Sequence, residues 1–162
     1  DWSEKLVGYS LGFIGLLEAI VQGGLIRVII PKLGNIKSVY FGMIFYILGL
    51  SLFAFAEEGW MVFAFAIPLS LGGISGPALQ GIMTNKIPDD EQGEVQGGMT
   101  SLVSLTAIIG PLLMTNLFSY FTSENSFYYF PGAPFMVGAI ISFFRLIIAV
   151  RFLSGSRGGS SI

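Results

Sequence analysis

Residues 6–30 read LVGYSLGFIGLLEAIVQGGLIRVII, an apolar run in which only Glu18 and Arg27 carry a charge. A helix needs roughly 20 apolar residues to cross the hydrocarbon core of a bilayer, and this run is long enough. A strand of a membrane barrel would instead alternate polar and apolar residues, and the run shows no such alternation. The run therefore predicts a transmembrane α-helix.

The rest of the chain has the same character. Of its 162 residues 53% are hydrophobic and 11% are charged, and the mean hydropathy is +0.77. A soluble domain usually contains about 25% charged residues. The prediction is an all-α membrane protein with five transmembrane helices, a single bundle over residues 1–153, at about 6–30, 38–56, 60–83, 96–121 and 134–153. Residues 154–162, SGSRGGSSI, predict a flexible tail.

The basic residues give an orientation. Cytoplasmic loops of membrane proteins carry an excess of Lys and Arg. With the N-terminus outside, six of the eight basic residues fall on the inner side: Arg27, Lys32, Lys37, Lys86, Arg151 and Arg157. The sequence therefore predicts an outside N-terminus and a cytoplasmic tail. An outside start, an odd number of spans and the lack of an initiator Met together lead us to expect further helices before Asp1.

Composition also excludes several classes of protein. The chain contains no Cys and no His, so a Ser-His-Asp triad and a thiolate or histidine metal site are excluded. Its net charge is −2, with no basic cluster suited to nucleic acid. We predict no enzyme, no metal, no cofactor and no nucleic-acid partner.

Glu18 lies near the middle of the first span. A charged residue at that depth costs about 2.5–3.5 kcal/mol on insertion scales, so it should face protein or a water-filled cavity. One interpretation is a titratable proton-coupling site; the other is a permanently protonated group that hydrogen-bonds neighbouring helices together. Gln22 follows four residues later on the same helix face, and it is a candidate for the cavity wall.

Other polar residues within the spans also have two interpretations. Gln80 and Asn116 are candidates for the wall of a substrate cavity, or they form hydrogen bonds between helices. Arg145 lies within the fifth span. Its side chain either extends toward the inner interface, which is the preferred interpretation, or forms a salt bridge with Glu18.

Gly-Pro pairs occur inside two apolar spans, within GGISGPALQG (72–81) and IIGPLL (108–113). Proline removes a backbone donor and clashes with the preceding turn, which kinks a helix. Kinks are predicted at Gly76, Pro77, Gly110 and Pro111, either as points where helices bend during a transport cycle or as static bends. Glycines at GxxxG spacing, which permit close helix approach, occur at Gly8–Gly12, Gly72–Gly76 and Gly93–Gly97.

Three stretches carry a resemblance to a known family: WSEKLVGYSLGFIGLLEAIVQGGLIRVIIPKLG, FAFAEEGWMVFAFAIPLSLGGISGPALQGIM and IPDDEQGEVQGGMTSLVSLTAIIGPLLMTNLF. Over residues 1–153 the chain resembles the second half of a major facilitator superfamily drug–proton antiporter, and is most similar to the tetracycline-efflux-like branch. The resemblance implies two six-helix halves. The five spans would be helices eight to twelve, a partial six-helix half whose partner is an absent N-terminal half.

The resemblance also implies roles for particular residues. Glu18 falls where tetracycline exporters carry a titratable residue implicated in proton coupling; that residue is commonly His, and this chain has Glu. PALQG (77–81) matches the tenth helix, which makes Gln80 a cavity candidate. GGLIRVIIPKLGN (23–35) resembles the family's cytoplasmic loop motif but lacks the acidic residue usual in the first-half copy. The matching positions are Gly24, Arg27, Lys32 and Gly34.

The function predicted from these features is part of a proton-coupled secondary transporter that exports a small organic molecule or drug by alternating access. Its expected partners are the lipid bilayer, protons, the substrate and the N-terminal half, and its expected location is the bacterial cytoplasmic (inner) membrane. The alternative is a non-transporting membrane-embedded subunit or fragment that acts through helix–helix binding of a partner.

Overall fold

The structure, a computed structural model, describes residues 4–123 and 126–155. The regular structure in those ranges is helical, in this order: α1 (Glu4–Ile20), a π-helical segment (Val21–Leu25), α2 (Ile26–Leu33), α3 (Asn35–Ala54), α4 (Gly59–Gly72), α5 (Ser75–Thr84), α6 (Gln92–Thr122) and α7 (Ala133–Gly155). Five helical stretches are long and apolar enough to cross a membrane: Val7–Leu33, Asn35–Ala54, Gly59–Thr84, Gln92–Thr122 and Ala133–Leu153. The prediction of an all-α protein with five transmembrane helices is confirmed.

Several helices extend beyond the apolar stretches that predicted them. The first span continues through Pro31 to Leu33, and α6 begins at Gln92, within a polar run. Hydropathy detects the part of a helix that lies in lipid, whereas backbone hydrogen bonds continue through polar residues. At the other end of the chain, α7 runs two residues into the predicted tail. The rest of that tail, 156–162, lies outside the described residues.

The third span is interrupted between α4 and α5. Gly73 N–H donates to the Ser70 carbonyl at 3.0 Å and Ile74 N–H donates to the Leu71 carbonyl at 3.2 Å, a tighter pattern than that of an α-helix. Pro77 accounts for the position, because its ring lacks an N–H and clashes with the carbonyl four residues earlier, that of Gly73. The interruption therefore lies about one turn before the Gly-Pro pair itself.

The second Gly-Pro pair has a different outcome. Gly110 and Pro111 lie within α6, which remains helical from Gln92 to Thr122. The structure shows no interruption there, so a functional bend at this pair stays a prediction.

Helix α3 is the centre of the bundle and contacts α2, α4, α5 and α7. Glycines allow the closest of these approaches. A methyl group added to Gly42 would lie 2.5 Å from Ser75 N, and one added to Gly49 would lie 2.7 Å from the backbone of Leu69. A small hydrophobic core between α3 and α5 is formed by Val39, Met43, Ala78 and Ile82. By contrast, α6 contacts α7 but has no buried residue.

A single residue connects the first two spans. Gly34 has φ 79° and ψ 158°, a region that is essentially restricted to glycine, and its N–H donates to the Ile30 carbonyl at 2.8 Å. Gly34→Ala is expected to lower the free energy of unfolding by about 1–3 kcal/mol, the strain of a side chain in such a conformation. Thermal unfolding in detergent checks this result. Gly98→Ala is the control, since that helical position is open, and equal midpoints for both variants would contradict the prediction.

Candidate functional site

Glu18 lies on α1 and is half-buried. Gln22 Nε2 donates a hydrogen bond to Glu18 Oε2 at 2.6 Å. The two residues are four apart, at the junction of α1 with the π-helical segment, so this bond does not join two helices. The i, i+4 pair predicted from the sequence is therefore in direct contact, and Gln22 itself is exposed.

The Glu18 carboxylate is next to the interruption in the third span. Helix α1 packs against α4, and a Cβ built on Gly73 would lie 3.8 Å from Glu18 Oε2. Pro77 offers no N–H to the Gly73 carbonyl. The carboxyl group thus lies beside a stretch of backbone with incomplete helical hydrogen bonding.

Arg145 reaches the same interruption from α7. Its Nη2 donates to Ser75 Oγ at 3.2 Å, and Ser75 Oγ donates to the Gly72 carbonyl at 2.9 Å. Both expectations for Arg145 are corrected: the guanidinium is held at the start of α5 instead of extending toward the inner interface, and within residues 4–123 and 126–155 it forms no salt bridge with Glu18. The contact with Ser75 is available because Gly72–Ser75 is not continuous helix.

A second polar group lies between α5 and α6. Gln80 Nε2 donates to Gln96 Oε1 at 3.2 Å, and both side chains line a cavity of about 350 Å³ with Gln92, Met99 and five other residues. Cavities of about 300–1,000 Å³ are typical of small-molecule sites. Gln96 was missed by the sequence analysis, because the polar start of α6 resembles an ordinary helix entrance.

Asn116 is separate from these groups. It is exposed on α6, and its Nδ2 donates to the Leu112 carbonyl of the same helix at 2.7 Å. The predicted cavity residues Gln22, Gln80 and Asn116 are therefore not brought into one site by the described part of the chain. A role for Asn116 in substrate binding stays a prediction.

The residues of the predicted loop motif are spread along the end of the first span. Gly24 is in the π-helical segment, Arg27 and Lys32 are exposed on α2, and Gly34 forms the connection to α3. Asn35 follows, and its Nδ2 would be 3.1 Å from a Cβ built on Gly81 of α5. The connection between the first two spans therefore lies against the end of the third span.

The structure also bears on metal binding. Among the described residues, no group of three or more His, Cys, Asp or Glu side chains is arranged to hold a metal ion. The polar groups that the structure does assemble, Glu18–Gln22 and Gln80–Gln96, are suited to exchange a proton or to hydrogen-bond a neutral or polar ligand.

Comparison with known proteins identifies a family. The model of the Major Facilitator Superfamily matches residues 1–161. The chain is 36% identical to a class C tetracycline resistance protein from Escherichia coli over 86% of the chain and 34% of that protein. It is 37% identical to the class G protein from Vibrio anguillarum, over 93% of the chain and 37% of that protein. It is 41% identical to the class E protein from Escherichia coli, over 73% of the chain and 29% of that protein.

The chain thus spans about a third of the length of the curated relatives it matches. No solved structure matches it at a significant level.

Proposed function

Because the chain belongs to the major facilitator superfamily, we propose that it is part of a proton-coupled secondary transporter that exports a small organic molecule by alternating access. The single observation that carries the proposal is the half-buried carboxyl group of Glu18, placed within a membrane span and beside the interruption in another. Ionisable residues within membrane spans mark ion and proton pathways by default. Interrupted helices are a common feature of transporter binding sites.

The mechanism follows from what Glu18 can do in its two protonation states. A protonated carboxyl can donate a hydrogen bond, whereas a carboxylate only accepts. Gln22 Nε2 already donates to Oε2, the oxygen nearer Gly73, so protonation would turn the other oxygen of the carboxyl group, Oε1, from an acceptor into a donor. Such a change would favour one arrangement of α1 against α4, and hence one orientation of the cavity.

The chain is an integral membrane protein, and we place it in a bacterial cytoplasmic membrane with its C-terminus inside. One set of connections carries the basic residues, including Lys32, Lys37 and Lys86. The opposite set carries large exposed aromatic rings: Phe55, Trp60, Phe127, Tyr128 and Tyr129. Basic residues favour the cytoplasmic side and aromatic rings favour a membrane interface, so both patterns support this orientation.

Transport by this mechanism needs a second group of helices. The chain covers about a third of its relatives, and α6 leaves all its residues unburied. We propose that an N-terminal half packs against this chain and supplies the other wall of the cavity. A membrane subunit that does not transport is the alternative that the same test addresses.

The test compares the full-length protein with residues 1–162 alone, each reconstituted in vesicles with an imposed proton gradient. Uptake of tetracycline and a panel of other organic drugs is measured, because the relatives are named for tetracycline resistance. The full-length protein should accumulate at least one compound, and collapse of the gradient should stop it. Residues 1–162 alone should accumulate none. A full-length protein that accumulates nothing would support the subunit alternative, and uptake by residues 1–162 alone would contradict the need for a second half.

A further inference from the structure

The interruption in the third span lies beside a polar side chain of α1 and accepts a hydrogen bond from a side chain of α7. The Glu18 carboxylate of α1 approaches Gly73, and the Arg145 guanidinium of α7 donates to Ser75 Oγ at 3.2 Å. Residues 75 and 145 are far apart in sequence, so this hydrogen bond is a tertiary link between the start of α5 and the middle of α7. Ser75 is buried, whereas the Arg145 side chain that reaches it is exposed on the surface of this chain.

The backbone at the interruption explains why Ser75 is placed to receive Arg145. In a continuous helix the Gly72 carbonyl would accept from the N–H of Gly76, four residues later. Here Ser75 Oγ donates to that carbonyl at 2.9 Å. Arg145, Ser75 and the Gly72 carbonyl therefore form a chain of hydrogen bonds, and neighbouring bonds in such a chain strengthen one another in a medium of low dielectric.

The position is also tightly packed on its other side. A methyl group on Gly42 of α3 would lie 2.5 Å from Ser75 N and 3.0 Å from Ser75 Cα. Ser75 is thus held between α3, which contacts its backbone, and α7, which binds its side chain. A guanidinium within a membrane span is expensive to place, and in the described part of the chain its hydrogen-bond partner is this one hydroxyl.

We propose that Arg145 is a positioning residue for transport: its guanidinium fixes the start of α5 against α7, which keeps the interruption opposite Glu18. The inference rests on the proposed transport function, because it assigns Arg145 a role in that cycle. Arg145 acts through Ser75 and does not contact the transported proton. Its fork of donors suits this task better than the single ammonium of Lys, although Lys retains the charge and one donor.

The transport test uses the full-length protein with Arg145→Gln, Arg145→Lys and, as a matched control, Arg151→Gln, an exposed cation on the same helix. In Arg145→Gln the maximal rate should fall about 10–100-fold, the loss expected for one charge-assisted hydrogen bond, while KM stays within about twofold. Arg145→Lys should recover most of the rate, and Arg151→Gln should keep it. A raised KM at an unchanged maximal rate would overturn the positioning role.

A second measurement does not depend on transport. Cysteines introduced at Ile67 of α4 and Thr84 of α5, both exposed, carry spin labels in a background without other cysteines; this chain has none of its own. The distance distribution between the labels should be narrow in the parent protein and in Arg151→Gln. It should broaden in Arg145→Gln and in Ser75→Ala.

Unchanged distributions in both of those variants would overturn the inference. Should Arg145→Gln fail to reach the membrane, the Ser75→Ala distribution decides in the same way. If the parent protein does not transport, the proposed function is wrong, and the distances between α4 and α5 still test whether Arg145 and Ser75 hold α5 in place.

Discussion

Replacing Glu18 with Gln is expected to uncouple transport from the proton gradient. Gln is close to Glu in size, and its amide oxygen can still accept the hydrogen bond from Gln22, but it cannot take up or release a proton. Coupling free energies between sites typically correspond to factors of 5–150. We therefore expect the ratio of gradient-driven to gradient-free uptake to fall from about that range to about 1 in the full-length protein, while gradient-free exchange of substrate continues.

The persistence of gradient-free exchange separates loss of coupling from loss of folding. Glu18→Asp keeps a titratable carboxyl and should retain part of the coupling. Glu57→Gln removes an exposed carboxylate in the connection between α3 and α4 and should leave the ratio unchanged. Uptake by Glu18→Gln that still follows the gradient would rule out Glu18 as the coupling residue.

The double variant Gly42→Ala, Gly49→Ala is expected to destabilise the bundle strongly. The added methyl groups would lie 2.5 Å and 2.7 Å from backbone atoms of the third span, and backbone cannot move aside as a flexible side chain can. Overpacking of a well-packed site costs about 1–3 kcal/mol. The two sites are about 10 Å apart along α3, so their effects should add to about 2–6 kcal/mol.

Gly8→Ala, Gly15→Ala is the matched control. These glycines are also seven residues apart, and nothing lies within 4 Å of a Cβ built on either one. Unfolding of the full-length protein in detergent, followed by loss of helical signal, measures both variants. Equal stability of the two double variants would show that the close approach of α3 to the third span is not needed for the fold.

The five helices could be predicted because the bilayer imposes a simple requirement on composition and length. The ends of the helices were harder to predict from the sequence. Gln92 begins α6 within a polar run, and α2 continues beyond Pro31, since helical hydrogen bonding does not depend on apolar side chains. Gly34 was recognised as part of a loop motif, but its role as the whole connection depends on backbone angles that the sequence does not reveal.

Tertiary packing could not be predicted, and the glycines show why. GxxxG spacing selected Gly8 and Gly12, which have open space around them, and Gly72, which packs tightly against Tyr46. It did not select Gly42, Gly49 or Gly132, at each of which an added Cβ would also clash. The spacing of glycines within one helix indicates a face without side chains, but it does not identify which helix packs against that face. The same reason explains Arg145: the side chain could be placed within a span, but its partner Ser75 is 70 residues away.

Only the part of the candidate site that is formed by residues close together in sequence was predicted. Glu18 and Gln22 are four residues apart, and helical geometry alone brings them together. Gln80 required a neighbour from another helix, Gln96, to form a polar group. Asn116 was selected for its chemistry, but its amide bonds the backbone of its own helix, a common use of Asn within a helix.

The π-helical segment Val21–Leu25 changes how the first span should be drawn on a helical wheel. A π-helical turn closes over one more residue than an α-helical turn, and an α-helix rotates about 100° per residue. Each side chain after Leu25 therefore points about 100° away from the direction that a helical wheel drawn for an unbroken α-helix gives it. An unbroken α-helix would place Glu18 and Arg27, nine residues apart, on opposite faces. The offset of about 100° leaves them about a quarter of a turn apart, so the two ends of the span present different combinations of residues to their neighbours than an unbroken helix would.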